Sequence, residues 1–377
     1  ADAQYLGAAD SKVDTFTVKS FDGTAKDVSF TTFGTNDPAI IGNPTVADVT
    51  ESFQVVSGNL QALGTISVTD VDQNQSGFQT GVTSSVGALG SLALAVDGTY
   101  VYRVSNADVL YLSDAETKVD TFTIKSIDGT TKDVSFTIHG VNQGATIGDP
   151  SPAAVIEDLN PVLGRLTETG KITITDPDTG EAKFQTTVTA ATGDKGQLVL
   201  AEDGTYTYSV LNQDVQYLGA GVVKTDTFTI KSFDGTSKAV SFTITGVNDD
   251  ALIGDPSSAS VTEDLGVVAN RLSASGQLTV TDVDAGESSF RTSVIAAAGD
   301  KGQLTMAVDG RYTYSVLNAD VQYLGAGSTK VDTFTVTSAD GTSKTVSFTI
   351  KGANDAATIG SPTTAAVTED TSVANDN

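Results

Sequence analysis

Pairs of aspartates separated by a single residue are the residues of this sequence most clearly suited to chemistry. Each pair stands in a T-D-x-D segment, and the three pairs are Asp70 and Asp72, Asp176 and Asp178, and Asp282 and Asp284. Two carboxylates this close repel each other unless a cation or a proton neutralises them. Carboxylate and amide oxygens are the ligands that Ca²⁺ prefers, and it takes about six to eight of them. The pairs therefore predict cation sites wherever the fold brings further oxygens to them.

The motifs recur along the chain at a constant interval of 106 residues. A G-x-N-D segment or its variant contains the asparagines Asn36, Asn142, Asn248 and Asn354. A D-T-F segment begins at Asp14, Asp120, Asp226 and Asp332. Since no insertion or deletion interrupts the interval, the chain is an array of repeats. We divide it into repeat I (39–144), repeat II (145–250) and repeat III (251–356), with residues 1–38 matching the end of a repeat and 357–377 the start of one.

Each repeat has the sequence pattern of β-strands. Residues alternate between apolar and polar in Thr205-Tyr206-Thr207-Tyr208-Ser209-Val210, which is typical of a strand with one buried face. Asp-Gly turn signals separate such segments. In repeat II the pattern predicts strands A to G at 152–157, 171–175, 184–189, 196–200, 204–210, 226–232 and 238–245. Seven short strands without cysteine or tryptophan predict an all-β fold class, with tandem Ig/cadherin-like Greek-key β-sandwiches in an elongated array.

This topology predicts where the acidic residues meet. The B–C and F–G loops of a sandwich should lie at the end where the repeat begins, beside the linker from the preceding repeat. The first junction would then contain Asn36, Asp37, Asp70, Asp72 and Asp128. The second would contain Asn142, Asp176, Asp178 and Asp234, with Gln143 at the position of a linker aspartate. The third would contain Asn248, Asp249, Asp282, Asp284 and Asp340. Ca²⁺ fits such oxygen clusters better than Mg²⁺, which demands tighter geometry.

Other acids could join these junctions from the preceding repeat. The candidates are Asp120 or Asp226, expected in the E–F loop, and Glu157 or Glu263, expected on strand A. In a simpler interpretation, the Asp-Gly pairs only form hairpin turns and the T-D-x-D acids are solvated. Turn chemistry explains the D–E acids Asp97, Asp203 and Asp309 without any metal.

Four motifs that occur in order carry a resemblance to a known family. They are N-D-x-A-x-I-G-x-P, V-T-E-D, T-V-T-D-V-D-A-G-E-S-S-F and D-T-F-T-V-x-S-x-D-G-T, and they resemble the VCBS repeat. That family belongs to large Gram-negative surface proteins and RTX-type adhesins, so the resemblance implies an extracellular or cell-surface adhesin or biofilm matrix protein exported by type I secretion. Asn248, Asp249, Asp282, Asp284 and Asp340 also look like the calcium motifs of cadherins. Gln143 and Ser52, which replaces the aspartate of V-T-E-D, depart from the pattern.

Composition excludes several classes of partner. Lys and Arg number 21 and Asp and Glu number 47, giving a formal net charge of −26. Such a chain repels nucleic acid and anionic lipid, which bind basic patches. It contains no cysteine, so disulfides and thiolate metal sites are absent. No apolar run approaches the length of a membrane span, and the first residues lack the pattern of a signal peptide.

The sequence does not predict an enzyme. Its one histidine, His139, aligns with Phe33, Thr245 and Lys351, so no recurring catalytic base accompanies the serines. Acids gathered at the ends of domains differ from the carboxylate pair of a glycosidase cleft. Tyr206 and Tyr208 could form a sugar-stacking platform, but alternation favours the core. Two functions remain: a stiff extender whose partners are its neighbouring repeats, or a module that binds a glycan, a cell surface or a matrix component.

Overall fold

The computed structural model describes residues 3–361 and residue 363. Their regular elements are 29 β-strands and three short 3₁₀ helices, Asn106–Asp108, Asn212–Asp214 and Asn318–Asp320. The prediction of an all-β fold class is confirmed. The described residues form two compact units, the first containing 3–153, 168–208 and 227–241, and the second containing 154–167, 209–226, 242–361 and 363.

The strands recur in the same order in every repeat. Residues 1–38 contain β1 (Ser11–Lys19) and β2 (Ala25–Phe33). Repeat I contains β3 (Ile40–Ile41), β4 (Asp48–Thr50), β5 (Asn59–Thr65), β6 (Val68–Thr69), β7 (Phe78–Ser84), β8 (Ser91–Leu94), β9 (Thr99–Ser105), β10 (Thr117–Ser126) and β11 (Thr131–His139). Repeat II contains β12 (Thr146–Ile147), β13 (Ala154–Ile156), β14 (Arg165–Lys171), β15 (Ile174–Thr175), β16 (Thr189–Ala190), β17 (Gly196–Leu200), β18 (Thr205–Leu211), β19 (Val223–Lys231) and β20 (Ser237–Thr245). Repeat III contains β21 (Leu252–Ile253), β22 (Ser260–Thr262), β23 (Arg271–Gln277), β24 (Val280–Thr281), β25 (Ile295–Ala296), β26 (Gly302–Met306), β27 (Arg311–Leu317), β28 (Thr329–Thr337) and β29 (Ser343–Lys351).

Repeats I and III each contain two main sheets. In repeat I the strand orders are β4-β11-β10-β7 and β5-β9-β8, and in repeat III they are β22-β29-β28-β25 and β23-β27-β26. Strand β4 runs parallel to β11, whereas the long hairpin β10–β11 is antiparallel with Thr117 opposite His139. In repeat II, β13 likewise pairs in parallel with β20. Strands A and B are each split in two, and their short outer parts pair as β3–β6 and β21–β24.

The core lies between the two sheets because the apolar residues of each strand share one face. In repeat III, Tyr314 from β27 stacks on Phe348 from β29 with ring centroids 4.6 Å apart. Tyr102 and Phe136 make the equivalent contact at 4.5 Å in repeat I. Tyr206 and Tyr208 in repeat II are also buried, as the alternation predicts. Each core is therefore built from aromatic and aliphatic side chains.

A buried aspartate stands in the middle of strand F of each repeat. Asp332 is fully buried and accepts hydrogen bonds from the Tyr314 hydroxyl at 2.8 Å and from the Gly302 N–H at 2.6 Å. Lys330 pairs with the same carboxylate at 2.9 Å. Asp120 makes equivalent bonds in repeat I to Tyr102 and Gly90. Asp120 and Asp226 thus lie inside strands β10 and β19, and the expectation that they belong to E–F loops is wrong.

The strand predictions for repeat II hold for strand A, where β13 lies inside 152–157, and fail in strands B and C. Strand B was expected at 171–175, but its main part is β14, Arg165–Lys171, and only the short β15 lies in the expected range. The segment β14 was missed because threonine, glutamate and glycine fill most of its positions. Strand C, expected at 184–189, is reduced to β16, Thr189–Ala190, and an isolated bridge from Phe184 to Ser232. The short β12, which begins strand A, had no recognised pattern.

The hairpin β1–β2 repeats the F–G hairpin of the complete repeats but leaves its apolar face open. Phe16 and Phe30 are 57% and 62% exposed, whereas the equivalent Phe122 and Phe136 are fully buried in repeat I. Burying one such side chain contributes roughly 1.5–3 kcal/mol, so this hairpin lacks most of the stabilisation available to β10–β11.

Candidate metal centre

The third junction is built on the B–C loop that follows β24. The Asp284 N–H donates to Asp282 Oδ1 at 2.9 Å, which folds the D-x-D segment into a tight turn. The linker N–H of Asp249 donates to Asp284 Oδ2 at 3.0 Å. Asp284 is only 2% exposed. The linker and the B–C loop therefore meet, with both carboxylates of the D-x-D segment at the contact.

The F–G turn supplies the next acid. Asp340 closes the turn between β28 and β29 by accepting bonds from the Ser338 hydroxyl and from the Thr342 N–H, and Gly341 follows at φ +110. Its Oδ2 also accepts the linker N–H of Ala251 at 3.3 Å. These bonds outweigh the effect of burial and lower the pKa of Asp340, so it stays ionised. Asp340 therefore closes the F–G turn, as the simpler interpretation expected, and the same turn places its carboxylate beside the linker.

Repeat II contributes an acid from the other side of the linker. Glu157 follows β13 and is 1% exposed. Its Oε2 accepts the linker N–H of Val247 at 3.1 Å, and its Oε1 accepts the Gln216 side-chain amide at 2.9 Å. Burial and the nearby Asp158, Asp249 and Asp284 raise the pKa of Glu157 to about 7. Repulsion among these carboxylates is therefore strong where no cation is bound.

Several buried carboxylate oxygens have no hydrogen-bond donor among the described residues. They are Asp70 Oδ2, Asp72 Oδ1, Asp176 Oδ2, Asp178 Oδ1, Asp249 Oδ2, Glu263 Oε1, Asp282 Oδ2 and Asp284 Oδ1. The same two atoms of the D-x-D pair recur in all three junctions. A buried anionic oxygen without a partner is costly, and a cation is the group that satisfies several of them together. The residues present therefore fit a hard cation.

The second junction has the same construction with one exchange. The Gln143 N–H donates to Asp178 Oδ2 at 2.8 Å, as Asp249 does to Asp284. The Gln143 side chain donates from Nε2 to Glu51 Oε1 at 2.9 Å, so an amide stands where the third junction has a carboxylate. Burial raises the pKa of Asp176, and Asp178 and Asp234 add to the effect.

The first junction brings the predicted acids together in the same way. The Asp37 N–H donates to Asp72 Oδ2 at 2.9 Å, and the Ala39 N–H donates to Asp128 Oδ2 at 3.2 Å. The linker asparagines vary: Asn36 donates its side-chain amide to Asp128 Oδ2 at 3.3 Å. Asn248 donates instead to the Asp249 carbonyl at 3.1 Å, and Asn142 is exposed.

The remaining candidates divide clearly. Asp97, Asp203 and Asp309 each accept an N–H two residues ahead in the D–E turn, as turn chemistry predicts.

The sequence reasoning missed three contributors: Glu51, which aligns with Glu157; Gln216, which donates to Glu157; and Glu287. Oxygens of Asp282, Glu287 and Asp340 lie within 4.8 Å of one another. Recurrence of V-x-E at 106-residue intervals could have pointed to Glu51.

Comparison with known families gives the chain its relatives. The family profile described as a bacterial cadherin-like domain matches residues 145–246 and 248–352, more than half of the chain. The chain belongs to the bacterial cadherin-like domain family. Cadherin-like domains are extracellular adhesion or structural modules, are typically not enzymes, and in general bind Ca²⁺. No curated protein matches the sequence.

Solved structures similar to this bacterial cadherin-like chain include eukaryotic cadherins. The protocadherin gammaB7 EC3-6 cis-dimer structure is 15% identical, with 82% of this chain and 74% of that chain covered at a TM-score of 0.44. Mouse cadherin-23 EC22-24 is 14% identical, with 85% of this chain and 100% of that chain covered at 0.44. Across the described residues, no helix has the length and hydropathy of a bilayer-crossing segment.

Proposed function

We propose that this chain is a structural extender region of a large secreted or cell-surface bacterial adhesin, in which Ca²⁺ stiffens the junctions between tandem β-sandwich repeats. The observation that carries the proposal is the set of buried carboxylate oxygens without donors, which recurs on the same atoms of the three D-x-D pairs. The proposal assigns repeats to 39–144, 145–250 and 251–356. It assigns 1–38 to the end of a preceding repeat and 357–377 to the start of a following one, where residues 362 and 364–377 lie outside the described residues.

The proposed ligands come from both sides of each linker. At the third junction they are Asn248, Asp249, Asp282, Asp284 and Asp340, with Glu157 from repeat II. When bound, a cation would neutralise these carboxylates and provide partners for the oxygens that lack donors. The protein's own contribution is to hold the acids in place through turn and linker hydrogen bonds. Because one ion would then bond to both repeats, bending at the linker would require metal–ligand bonds to break.

An extender role agrees better with the surface than a sugar-binding role. A glycan platform on strand E would need exposed tyrosines, whereas Tyr206 and Tyr208 are 1% and 0% exposed. Beyond the junction geometry, support for an adhesin comes from membership of the bacterial cadherin-like domain family. The proposals of a VCBS-type, RTX-related protein exported by type I secretion, with a role in cell adhesion and biofilm, rest on the four sequence motifs. The partners proposed are neighbouring repeats and components of cell surfaces or the matrix.

Small-angle scattering of the full chain tests the proposal. With Ca²⁺ we expect a longer mean end-to-end distance than with a chelator. The double variant Asp282→Asn/Asp284→Asn should shorten the calcium-bound chain by loosening the third junction alone. Asp309→Asn, which alters only a D–E turn acid, serves as the control. A scattering profile that is indifferent to Ca²⁺, or a chain that binds no Ca²⁺ in calorimetry, would falsify the proposal.

A further inference from the structure

The B–C loop carries a third acid beyond its D-x-D pair. In repeat III the chain turns at Gly286, whose φ is +89, and the Glu287 N–H donates back to the Asp284 carbonyl at 3.3 Å. The Ser288 hydroxyl accepts the Asp282 N–H at 3.0 Å. These bonds fold the loop so that Glu287 returns to the side of Asp282, and they fix its position by backbone geometry.

Glu287 stands in a group of three carboxylates. Its oxygen and those of Asp282 and Asp340 lie within 4.8 Å of one another, and all three side chains are partly buried. Burial and the charges of Asp284, Asp282 and Asp340 raise the pKa of Glu287.

A second observation at the same place also indicates a ligand. Asp284, the strongest charged neighbour of Glu287, is 2% exposed, and its Oδ1 has no donor among the described residues. Asp282 Oδ2 is likewise without a donor there. The acid group therefore borders oxygens that are removed from water and unsatisfied, which solvated surface acids are not.

The preceding repeat leaves space for Glu287. A Cβ added to Gly219 would lie 2.7 Å from Glu287 Oε1, closer than a real contact allows. Gly219 lies after strand E of repeat II, where the neighbouring Tyr217 carbonyl accepts the Ala285 N–H at 3.0 Å. The loop of repeat II is thus held against the B–C loop, and glycine at 219 lets the carboxylate of Glu287 stand between them.

From this geometry we propose that Glu287 is a direct cation ligand, which holds an ion together with Asp282 and Asp340, and that Glu181 does the same at the second junction. The inference rests on the proposed calcium binding and adds a ligand from the far end of the B–C loop. Glu181 occupies the same turn, with its N–H 3.2 Å from the Asp178 carbonyl after Gly180. Burial and the charges of Asp178, Asp176, Asp234 and Glu116 raise the pKa of Glu181.

Repeat I provides a natural comparison. Its turn has the same bonds, with the Gln75 N–H 3.4 Å from the Asp72 carbonyl and the Asp70 N–H 3.0 Å from the Ser76 hydroxyl. The side chain at this position is the neutral Gln75, however. The first junction should therefore lack the anionic ligand that the second and third junctions share.

Calcium titration of the full chain by calorimetry and equilibrium dialysis tests the inference. Glu287→Gln should weaken binding at the third junction about tenfold or remove one bound ion per chain. Gly219→Ala should weaken binding by a smaller factor, because the added methyl displaces the flexible carboxylate end of Glu287 and changes no acid. Gln75→Glu should strengthen binding at the first junction. Asp309→Asn is the control, and circular dichroism checks that each variant is folded.

The outcomes separate this inference from the proposed function. If Asp284→Asn weakens binding while Glu287→Gln and Gly219→Ala both bind like the unaltered chain, Glu287 is not a ligand and the calcium junctions remain. If the unaltered chain binds no Ca²⁺, both proposals are wrong. If Glu287→Gln fails to fold, the calcium affinities of Gly219→Ala and Gln75→Glu decide whether the residue at this position is a ligand.

Discussion

Gln143 and Asp249 occupy the same linker position, and their side chains make different contacts. Gln143 donates to Glu51 Oε1 at 2.9 Å, whereas Asp249 Oδ2 is buried without a donor among the described residues. The second junction thus has a neutral hydrogen-bond donor where the third has an unpartnered carboxylate, so it contains one negative charge fewer. Fewer negative ligands mean weaker calcium binding, since ligand charge tunes affinity.

We therefore predict that the second junction binds Ca²⁺ about tenfold more weakly than the third. In the full chain, Gln143→Asp should strengthen the weaker sites in a calorimetric titration, and Asp249→Gln should weaken the stronger ones. The two substitutions are matched, because each places the other junction's residue on the same backbone position. Unchanged affinities in both variants would show that this linker position does not ligate metal.

Glu157 should make the proposed calcium binding depend on pH. Burial raises its pKa to about 7 from an ordinary value of 4.5, with Asp158, Asp249 and Asp284 contributing. Because the pKa in the folded state is higher, the stabilisation from protonated Glu157 is full below pH 4.5 and is lost as the pH rises through 7. A cation binds the ionised form of Glu157 and competes with the proton. Calcium binding should therefore strengthen as the pH rises.

The expected result is that calcium binds the third junction more weakly at pH 6 than at pH 8 and releases a proton near neutrality. Calorimetry in buffers of different ionisation enthalpy measures that proton, and Glu157→Gln should reduce the number released. Glu51, whose pKa burial also raises, remains in that variant as the internal reference. Equal proton release by the variant and the unaltered chain would contradict the assignment.

At the scale of strands, the two sheets are joined by a polar bond as well as by packing. The Tyr314 hydroxyl on β27 donates to the fully buried Asp332 on β28 at 2.8 Å. Burial disfavours the charge on Asp332, but bonds from Lys330, Tyr314, Gly302 and Lys301 outweigh it and lower its pKa. This stabilisation is therefore present above pH 3.8 and is lost as the pH falls towards the lowered pKa.

Tyr314→Phe should destabilise repeat III by about 1.5–3 kcal/mol, because a buried carboxylate loses one donor. Native-state hydrogen exchange should show amides of β27 and β28 exchanging about ten- to a hundredfold faster, with repeat I unchanged. Tyr323→Phe is the matched control, because Tyr323 is 63% exposed. Equal protection in both variants would mean that the hydroxyl contributes nothing to stability.

The sequence predicted elements well where alternation was strong and poorly where it was weak. Strand D of repeat II lies where expected, at Gly196–Leu200, because its leucines alternate. The segment β14 was missed because threonine, glutamate and glycine fill most of its positions and hide the alternation. Asp226 was also misplaced. A charged residue is typical of a loop, and the sequence does not show the partners that allow it to be buried in a strand.

The acids of the junctions were found from spacing, but their roles were not. Recurrence placed Asp282, Asp284 and Asp340 together because two loops at one end of a sandwich must face the same linker. Sequence could not show that Asp340 also closes its own turn, that Gln216 donates to Glu157, or that Glu287 folds back beside Asp282. Those facts depend on loop geometry of a few ångströms, which residue type alone does not determine.

At the scale of the whole molecule, the described cores belong to single repeats. The buried cluster of repeat I draws on residues from Val49 to Ile138, and that of repeat III on residues from Ile253 to Ile350. Apolar burial stabilises each sandwich independently of metal. The linkers have no such core and meet the repeats through carboxylates. Metal removal should therefore act on the linkers first, as in repeat proteins whose neighbours interact only through interfaces.

We predict that chelation leaves the β signal in circular dichroism nearly unchanged while limited proteolysis cuts the chain at 140–146 and 246–252. Screening at 0.15 M salt acts beyond about 8 Å, so acids closer than that still repel and the linker opens to the protease. With Ca²⁺ the same sites should be protected, since ligand binding lowers the population of open forms. Asp282→Asn/Asp284→Asn should expose only 246–252, leaving 140–146 as the internal control. Cleavage inside the sandwiches, or loss of the β signal on chelation, would mean that Ca²⁺ maintains the fold of each repeat and not the stiffness between them.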